Sequence, residues 1–236
     1  MKYLYRLTDD LVFPPVKYSL PDGLLAIGGD LSIDRLLLAY RSGIFPWYND
    51  DSPILWWSPD PRFIVTPEEV KLSTSMKKVL RKNLFSVSLD QNFREVISNC
   101  KKVREDTGTW ITDEMLEAYC ALHNAGYAHS VEVTLDGKLV GGLYGVSLGL
   151  CFFGESMFSL TDNASKTGFI VLSKTLKEKN FGLIDCQVYT NHLRSLGAHN
   201  IEREKFISLV AKYIKYETFK NDWNGWLDGR STSDFV

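Results

Sequence analysis

A carboxylate and an amide stand two residues apart in the apolar run Leu183-Ile-Asp-Cys-Gln-Val188. A run this short and apolar predicts a buried strand, in which residues i and i+2 project to one face, so Asp185 and Gln187 should stand side by side. Burying each polar group costs roughly 1 to 3 kcal/mol unless a partner satisfies it, and an ionised aspartate costs more. The pair is therefore either an internal hydrogen-bond network or part of a site that does chemistry.

The segment that follows the pair favours a site. Residues 190–197 are polar and predict a loop and a short helix, which places the pair near the carboxyl end of its strand. Ligands usually bind outside that edge in open mixed sheets.

Glu155 is the second candidate group, at a predicted strand end within Phe152-Phe-Gly-Glu-Ser-Met-Phe158. Its carboxylate could receive an amino group at the mouth of an apolar pocket, or cap the next turn. Candidates for the pocket wall, each of which taken singly is more typical of the core, are Trp110, Tyr119, Phe152, Met157, Leu172 and Leu176.

The segment from Leu72 to Lys82 predicts an amphipathic helix with one strongly basic face. Met76, Val79 and Leu80 fall on one side of it. The other side carries Lys77, Lys78, Arg81 and Lys82. Such a face could grip nucleic-acid phosphates or could simply be a solvated surface.

Other kinds of site receive little support. The four histidines are not spaced as metal ligands, and no phosphate-binding G-x-x-x-x-G-K-[ST] loop occurs. Ser156 lacks the glycine two residues later that a nucleophile elbow requires. Four scattered cysteines without a C-x-x-C pair indicate free structural thiols in a reducing compartment.

Composition indicates an ordinary globular protein. The chain has 236 residues, is 44% hydrophobic and carries a formal net charge of −2, so nucleic-acid contact would need a local basic patch. No apolar run reaches the roughly 18 residues of a membrane span, and the first residues lack a secretory apolar stretch. We therefore expect a cytoplasmic location.

The first 62 residues are rich in turns and aromatic side chains and predict a small N-terminal domain, residues 1–62. One helix is expected there, from about Ser32 to Ser42. The stiff segment Pro59-Asp-Pro61 marks the expected boundary.

Residues 63–236 show a more regular pattern. Asp90 and Thr112 look like caps of two helices, a meander of strands follows at 130–135, 138–147 and 150–154, and Asp136-Gly137 signals the first hairpin. A helix from Asn163 to about 179, the Asp185 strand and a helix at 203–216 complete an α+β domain of the acetyltransferase-like (GNAT-like) kind. The tail beyond residue 221, with Trp223 and Trp226, is not placed by any pattern.

Several motifs, taken in order, resemble those of the bacterial leucyl/phenylalanyl-tRNA–protein transferase family over nearly the whole chain. They are Gly23-Leu-Leu-Ala-Ile-Gly-Gly-Asp-Leu31, Gly43-Ile-Phe-Pro-Trp47, Trp56-Trp-Ser-Pro-Asp-Pro-Arg62, Gly154-Glu-Ser-Met-Phe-Ser159, Asn163-Ala-Ser-Lys166, Leu183-Ile-Asp-Cys-Gln187 and Ser195-Leu-Gly-Ala198. The resemblance implies transfer of Leu or Phe, and less readily Met, from aminoacyl-tRNA to the N-terminal Arg or Lys of a protein, which marks that protein for degradation. It implies no cofactor and no metal.

The resemblance also implies roles for residues. Asp185 would bind the α-amino group of the acceptor, and Gln187 would complete a hydrogen-bonded relay that draws its proton away. Glu155 would contact the aminoacyl-adenosine end of the tRNA. The sites for the terminal adenosine and the amino-acid side chain would be shaped by Tyr40, Trp47, Trp110, Tyr119, Phe152 and Met157, and the basic cluster for the acceptor stem is Lys77, Lys78, Arg81 and Lys82.

Two alternatives remain open at this point. An acetyl-CoA-dependent N-acetyltransferase would use the same fold, but the nearest approach to its pyrophosphate loop, Arg194-Ser-Leu-Gly-Ala-His199, ends in histidine. A non-catalytic module that binds tRNA or peptide is the second alternative, and a buried Asp185 and Gln187 argue against it.

Overall fold

The computed structural model describes residues 4–104, 111–220 and 223–236. Helices and strands are mixed along the chain, as the predicted α+β class requires. The strands are β1 (Tyr5–Leu7), β2 (Leu24–Gly28), β3 (Phe45–Pro46), β4 (Leu55–Trp57), β5 (Arg62–Val65), β6 (Ser86–Leu89), β7 (Ala128–Leu135), β8 (Lys138–Leu148), β9 (Cys151–Ser159), β10 (Leu183–Asp185) and β11 (His199–Ile201). The helices are α1 (Ile33–Arg41), α2 (Thr74–Arg81), α3 (Phe93–Lys102), α4 (Asp113–Asn124), α5 (Ala164–Glu178), α6 (Asn191–Ser195) and α7 (Arg203–Tyr213).

The N-terminal part contains a four-stranded sheet in the order β1-β2-β4-β3. The predicted helix is present as α1, and the Ser32 side chain caps it by accepting from the backbone N–H of Arg35. Trp56 is fully buried and donates its indole N–H to the carbonyl of Gly28 at 2.8 Å, which ties β4 to the end of β2.

The larger sheet has seven strands in the order β11-β5-β10-β9-β8-β7-β6. Its first strand along the chain, β5, begins at Arg62 and pairs antiparallel with both β10 and β11. The domain boundary after residue 62 stays a prediction. Among the described strands of this sheet, β9 and β10 form the parallel pair, and the other pairs are antiparallel.

The predicted meander is present as β7, β8 and β9. Asp136 and Gly137 both have positive φ, 49° and 74°, as a type I′ hairpin turn demands. β9 is longer than predicted and runs to Ser159. Polar residues in its middle, beginning with Glu155, resemble a strand end in sequence but lie within the strand.

Helices cover both faces of the larger sheet. Buried side chains of α3 and α4 join one core cluster, which continues into the N-terminal part through α1. Buried side chains of α2 and α5 join the second cluster, on the other face. The C-terminal segment also packs into this second cluster, where Trp223 is 1% exposed and its ring stacks on His129 at 3.8 Å.

One of the two predicted caps is correct. Thr112 caps α4 by accepting from the backbone N–H of Met115. Asp90 does not cap α3: the residue has φ of 57° and its carboxylate accepts from Ser130 and His129 on β7. The N–H groups before α3, at Gln91 and Asn92, are instead satisfied by the buried carboxylate of Glu132.

Within the described residues, no helix has both the length and the apolar character that a bilayer crossing needs.

Candidate active site

The candidate site lies where the parallel strands β9 and β10 part. They are paired from Leu183 opposite Cys151 to Asp185 opposite Phe153, after which β10 ends and β9 continues for six residues. A cavity of about 410 Å³ occupies the gap between the rest of β9 and residues 186–193. This is the strand edge at which the sequence predicts a ligand.

Glu155 reaches this cavity because of an irregularity in β9. Tyr144 of β8 pairs with Ser156, and the next residue, Gly145, pairs with Gly154, so Glu155 is an extra residue without a cross-strand partner. A bulge of this kind bends the strand and redirects the side chain of the extra residue. The bulge therefore turns a carboxylate into the gap between the strands.

Three donors converge on the carboxylate of Glu155. Oε1 accepts from the hydroxyl of Tyr40 and from the side-chain amide of Gln187, both at 2.7 Å, and Oε2 accepts from the hydroxyl of Tyr119 at 2.9 Å. The Tyr40 and Tyr119 hydroxyls also contact one another. These donors come from α1, α4 and the segment after β10, so Glu155 joins three parts of the chain.

Burial raises the pKa of Glu155 to about 7. The hydrogen bonds from the two tyrosines and Gln187 favour the ionised form, and the nearby charge of Asp185 disfavours it. A carboxyl group with a pKa near 7 exchanges a proton readily at neutral pH.

Gln187 does not lie beside Asp185 on a strand, as the alternation predicted, because β10 ends at Asp185. Val188 donates its backbone N–H to the carbonyl of Cys186 at 2.7 Å, which closes a three-residue turn centred on Gln187 with φ of 60°. A non-glycine residue in this conformation is strained and persists only where its surroundings hold it. The turn directs the amide of Gln187 to Glu155.

Asp185 belongs to the lining of the cavity, but its side chain is closed off from solvent. Its carboxylate is fully buried and accepts from Nε and Nη2 of Arg62 at 2.8 and 2.6 Å. Oδ1 also accepts the backbone N–H of Gln187 at 2.9 Å, so Asp185 helps to hold the strained turn. Asp185 and Gln187 are thus linked, but through a backbone group rather than side by side.

Arg62 is a site residue that the pattern analysis did not single out. Its guanidinium lies between the rings of Phe45 and Phe206, at 4.7 and 4.5 Å, and also donates to the carbonyl of Gly43 at 3.3 Å. The available signal was a lone arginine opening the apolar strand Arg62–Val65. A charge in such a run requires a buried partner of opposite sign.

The wall of the cavity is mainly apolar, and the predicted residues fall into four groups. Phe152, Met157 and Trp47 line it, together with Leu143, Phe169 and Ile184. Tyr40 and Tyr119 are not lining residues, but their hydroxyls donate hydrogen bonds to Glu155, which lines the cavity. Leu172 and Leu176 are fully buried in the second core cluster and are not among the lining residues, while Trp110 lies outside the described residues.

Phe169 was missed although helical spacing could have found it. It stands one turn before Leu172 on α5, and its side chain lines the cavity where the Leu172 side chain was expected.

The basic helix is present as α2. Ser73 caps it by accepting from the N–H of Met76, and Met76 and Leu80 are buried. Lys77, Lys78, Arg81 and Lys82 are all exposed, and they form no salt bridge with any residue that the structure describes. This leaves the four cations available to an anionic partner.

The arrangement suits an incoming amine and an apolar side chain. The amide nitrogen of Gln187 is directed at Glu155, so the amide oxygen is left to accept from a ligand. The apolar wall would hold a hydrophobic side chain beside these polar groups.

Solved structures resemble the chain only distantly. An aminoglycoside acetyltransferase from an uncultured soil metagenomic sample aligns with a TM-score of 0.39 at 18% identity, covering 48% of this chain and 84% of that protein. The structure described as L-PGS from Bacillus licheniformis aligns with a TM-score of 0.40 at 12% identity, covering 72% and 57%.

Sequence relatives are much closer. The leucyl/phenylalanyl-tRNA–protein transferase of Syntrophus aciditrophicus is 58% identical over 216 residues, which is 91% of this chain and 90% of the relative. The enzyme of the same name from Flavobacterium johnsoniae is 56% identical over 209 residues, 88% of this chain and 99% of the relative.

Family models match both parts of the chain. The model for the leucyl/phenylalanyl-tRNA protein transferase matches residues 64–211, and the model for the N-terminal domain of the same enzyme matches residues 29–60. With the relatives above, these matches place the chain in the leucyl/phenylalanyl-tRNA–protein transferase family, bacterial enzymes that transfer an aminoacyl group from tRNA to protein.

Proposed function

We propose that this protein transfers Leu or Phe, and less readily Met, from aminoacyl-tRNA to the N-terminal Arg or Lys of acceptor proteins, and that the product is marked for degradation. The observation that carries the proposal is an apolar cavity whose polar edge is formed by Gln187 and a carboxyl group, Glu155, with a pKa of about 7. Aminoacyl-tRNA and its acceptors meet in the cytoplasm, where we place the reaction.

The reaction needs alignment more than activation. The acceptor's amine attacks the ester carbonyl, the peptide bond forms, and the ester C–O bond breaks to release the ribose hydroxyl of the terminal adenosine. The amine loses one proton and the departing oxygen gains one. The substrate is already activated, so a site that orients the amine and handles its proton is sufficient.

Gln187 and Glu155 are the groups suited to these two tasks. The amide oxygen of Gln187 would accept a hydrogen bond from the attacking amine, since its nitrogen is committed to Glu155. Glu155 would take up the proton released at the amine and return it to the departing ribose oxygen. Tyr40 and Tyr119 fix the position of the carboxylate throughout.

In this proposal Asp185 acts through Gln187 rather than by touching the amine. Both of its carboxylate oxygens bond to Arg62, and its Oδ1 also holds the backbone N–H of Gln187. Loss of Asp185 would release the strained turn and misdirect the Gln187 amide.

Substrate selection follows from the cavity wall. An apolar pocket admits Leu, Phe and Met with modest discrimination, since one methylene is worth roughly 1 to 3 kcal/mol, and it excludes charged side chains firmly. Trp47, which is 40% exposed at the cavity, offers a ring on which the terminal adenine could stack. The exposed cations of α2 would contact acceptor-stem phosphates.

The test is incubation with radiolabelled Phe-tRNA and a protein that begins with Arg. We expect label on this acceptor and none on the same protein after acetylation of its N-terminus. Gln187→Ala should reduce transfer by at least about 100-fold, in line with loss of a catalytic group, with nearly unchanged tRNA binding. Asp185→Ala should have a similar effect because it removes the contact that positions Gln187. Asn200→Ala, an exposed amide on β11, is the matched control and should behave as wild type.

Absence of transfer to the free N-terminus would contradict the proposal, and tight binding of acetyl-CoA in place of aminoacyl-tRNA would favour an acetyltransferase instead.

The role of α2 in tRNA binding is measured separately. Charge reversal at Lys78 and Arg81 should weaken tRNA binding and flatten its dependence on salt, and unchanged binding would exclude this helix.

A further inference from the structure

A second cavity, also of about 410 Å³, adjoins the first at the N-terminus of α5. The two share Ser159, Ser165 and His192 in their walls. The rest of the second cavity is formed by Leu160, Thr161, Asp162, Asn163 and Lys166. Unlike the first cavity, its lining is predominantly polar, and the proposed function above leaves it without a role.

Two polar side-chain groups face this cavity without a partner. Ser165 is 6% exposed, and its hydroxyl has no hydrogen-bond partner among the described residues. Nε2 of His192 is buried and likewise lacks a partner there. A buried donor or acceptor that is left unpaired, such as Nε2 of His192, is destabilising. Both groups are therefore suited to a ligand that supplies hydrogen-bond acceptors.

The surroundings favour a negative ligand. Lys166 lies in the first turn of the fifteen-residue helix α5 and makes no salt bridge among the described residues. The Asn163 side chain makes no cap hydrogen bond, but the start of the helix is partly satisfied because the backbone N–H of Ser165 donates to Oγ of Ser159 at 3.2 Å. The positive charge at this cavity therefore comes from Lys166. Asp162 is the acidic lining residue, and it is exposed to solvent.

His192 can serve as a neutral donor. Its burial and the charge of Lys166 lower its pKa, so the imidazole is neutral at pH 7 and donates from Nε2 in one tautomer.

The basic face of α2 leads toward the same place. Phe85, four residues beyond the end of α2, packs in one cluster with Ala164 at the start of α5, and Val79 of α2 packs against this cluster. The cations Arg81 and Lys82 at the end of α2 therefore lie on the side of the molecule where α5 begins. A nucleic-acid strand that runs along α2 would therefore bring its phosphates close to Lys166.

We propose that the second cavity binds the phosphate that joins the terminal adenosine of aminoacyl-tRNA to the preceding nucleotide. Lys166 supplies the charge, while the Ser165 hydroxyl and Nε2 of His192 donate to the phosphate oxygens. The inference rests on the proposed function, because that function places the ester of the same nucleotide in the first cavity. Ester and phosphate are carried by one ribose, and the shared wall of the two cavities matches that proximity.

The test uses two minimal donors, phenylalanyl-adenosine and its 5′-phosphorylated form, with a peptide that begins with Arg. In the wild-type enzyme the phosphate should raise kcat/KM by about tenfold or more, as charged hydrogen bonds do. Lys166→Gln and Ser165→Ala should remove most of this advantage, and Lys166→Gln should leave kcat/KM for the unphosphorylated donor unchanged. That second value also reports that the Lys166→Gln variant is folded.

Lys174→Gln is the matched control, since Lys174 lies two turns further along α5, is half-buried and makes no salt bridge among the described residues. It should keep the full phosphate advantage. Equal use of both donors by the wild-type enzyme, or retention of the advantage in Lys166→Gln, overturns the phosphate site while leaving the proposed transfer intact. An effect of Lys166→Gln on the KM of the acceptor peptide alone would assign the cavity to the acceptor. If neither donor supported transfer in the wild-type enzyme or in any variant, the proposed function itself would be contradicted.

Discussion

The guanidinium of Arg62 binds the carboxylate of Asp185 through two hydrogen bonds, at 2.8 and 2.6 Å, although 123 positions separate the residues. Both side chains are fully buried. The pair joins the start of β5 to the end of β10, and Asp185 then holds the turn that carries Gln187. A residue at the beginning of the larger sheet thus controls the geometry of the candidate active site.

Replacing Arg62 by methionine should destabilise the protein by about 3 to 5 kcal/mol, because it leaves the Asp185 charge buried without its partner. Urea unfolding monitored by tryptophan fluorescence measures the loss. The double variant Arg62→Met with Asp185→Leu should recover much of it, since an apolar pair replaces the ion pair. A single variant within 1 kcal/mol of wild type, roughly the value of an exposed pair, would contradict the inferred burial.

Glu155→Gln should change how stability depends on pH. The pKa of the Glu155 carboxyl rises from 4.5 to about 7 on folding, so its stabilising effect is complete below pH 4.5 and is lost as pH rises through 7. Relative to the variant, wild type should lose roughly 3 kcal/mol over this window, at about 1.4 kcal/mol per pKa unit. Urea unfolding from pH 4.5 to 7.5 tests this, and a constant difference would disprove it.

Tyr119→Phe should raise the pKa of Glu155 further, because the lost hydrogen bond favours the ionised carboxylate. Carbon NMR of labelled glutamate carboxyl groups follows the titration directly. Tyr18→Phe, which removes an exposed hydroxyl far from Glu155 in the sequence, is the control and should leave the titration in place. An unmoved or lowered value in Tyr119→Phe would show that this hydroxyl does not support the charge.

Met157→Ala should alter the choice between Leu and Phe, since Met157 lines the first cavity. We expect the ratio of kcat/KM for Phe-tRNA and Leu-tRNA to change by about tenfold, the scale for removing side-chain volume from an apolar pocket. Leu176→Ala, buried outside the lining, should cost about 2 to 5 kcal/mol of stability and leave the ratio alone. If Leu176→Ala shifts the ratio as much, the assigned wall is wrong.

Trp223→Ala should destabilise the protein by about 3 to 5 kcal/mol, as expected for a large aromatic side chain that is 1% exposed. Thermal unfolding of the variant gives the measurement. Replacing Tyr216, a C-terminal aromatic residue that is 54% exposed, should have little effect and serves as the comparison. Equal stability of both variants would mean that the C-terminal segment does not contribute to the core.

Local signals predicted the regular elements well. The hairpin at Asp136 and Gly137, the cap at Thr112 and the amphipathic helix α2 are where their patterns indicated, since each depends on residues close in sequence. The cap expected at Asp90 failed for the opposite reason. Its carboxylate accepts a hydrogen bond from the backbone N–H of Ser130 on β7, forty positions away, and a local sequence pattern holds no information about that contact.

The candidate site was predictable in its residue types but not in its connections. Gln187 leaves the strand because its backbone N–H donates a hydrogen bond to the carboxylate of Asp185. That carboxylate is in turn bound by Arg62, which is 123 positions away in the sequence. Trp223 could not be placed because its partner, the ring of His129, belongs to β7, which is far away in the sequence. Each of these contacts is created by the tertiary fold, so periodicity and propensity carry no information about them.

The bulge in β9 means that the sheet would be more regular without the residue on which the site converges. Deleting Glu155 would bring β8 and β9 into continuous register and spare the protein an ionisable group in its interior. It would also leave Tyr40, Tyr119 and Gln187 with no common acceptor. The strand therefore keeps a surplus position that regular strand pairing does not require and that the proposed catalytic role of Glu155 would explain.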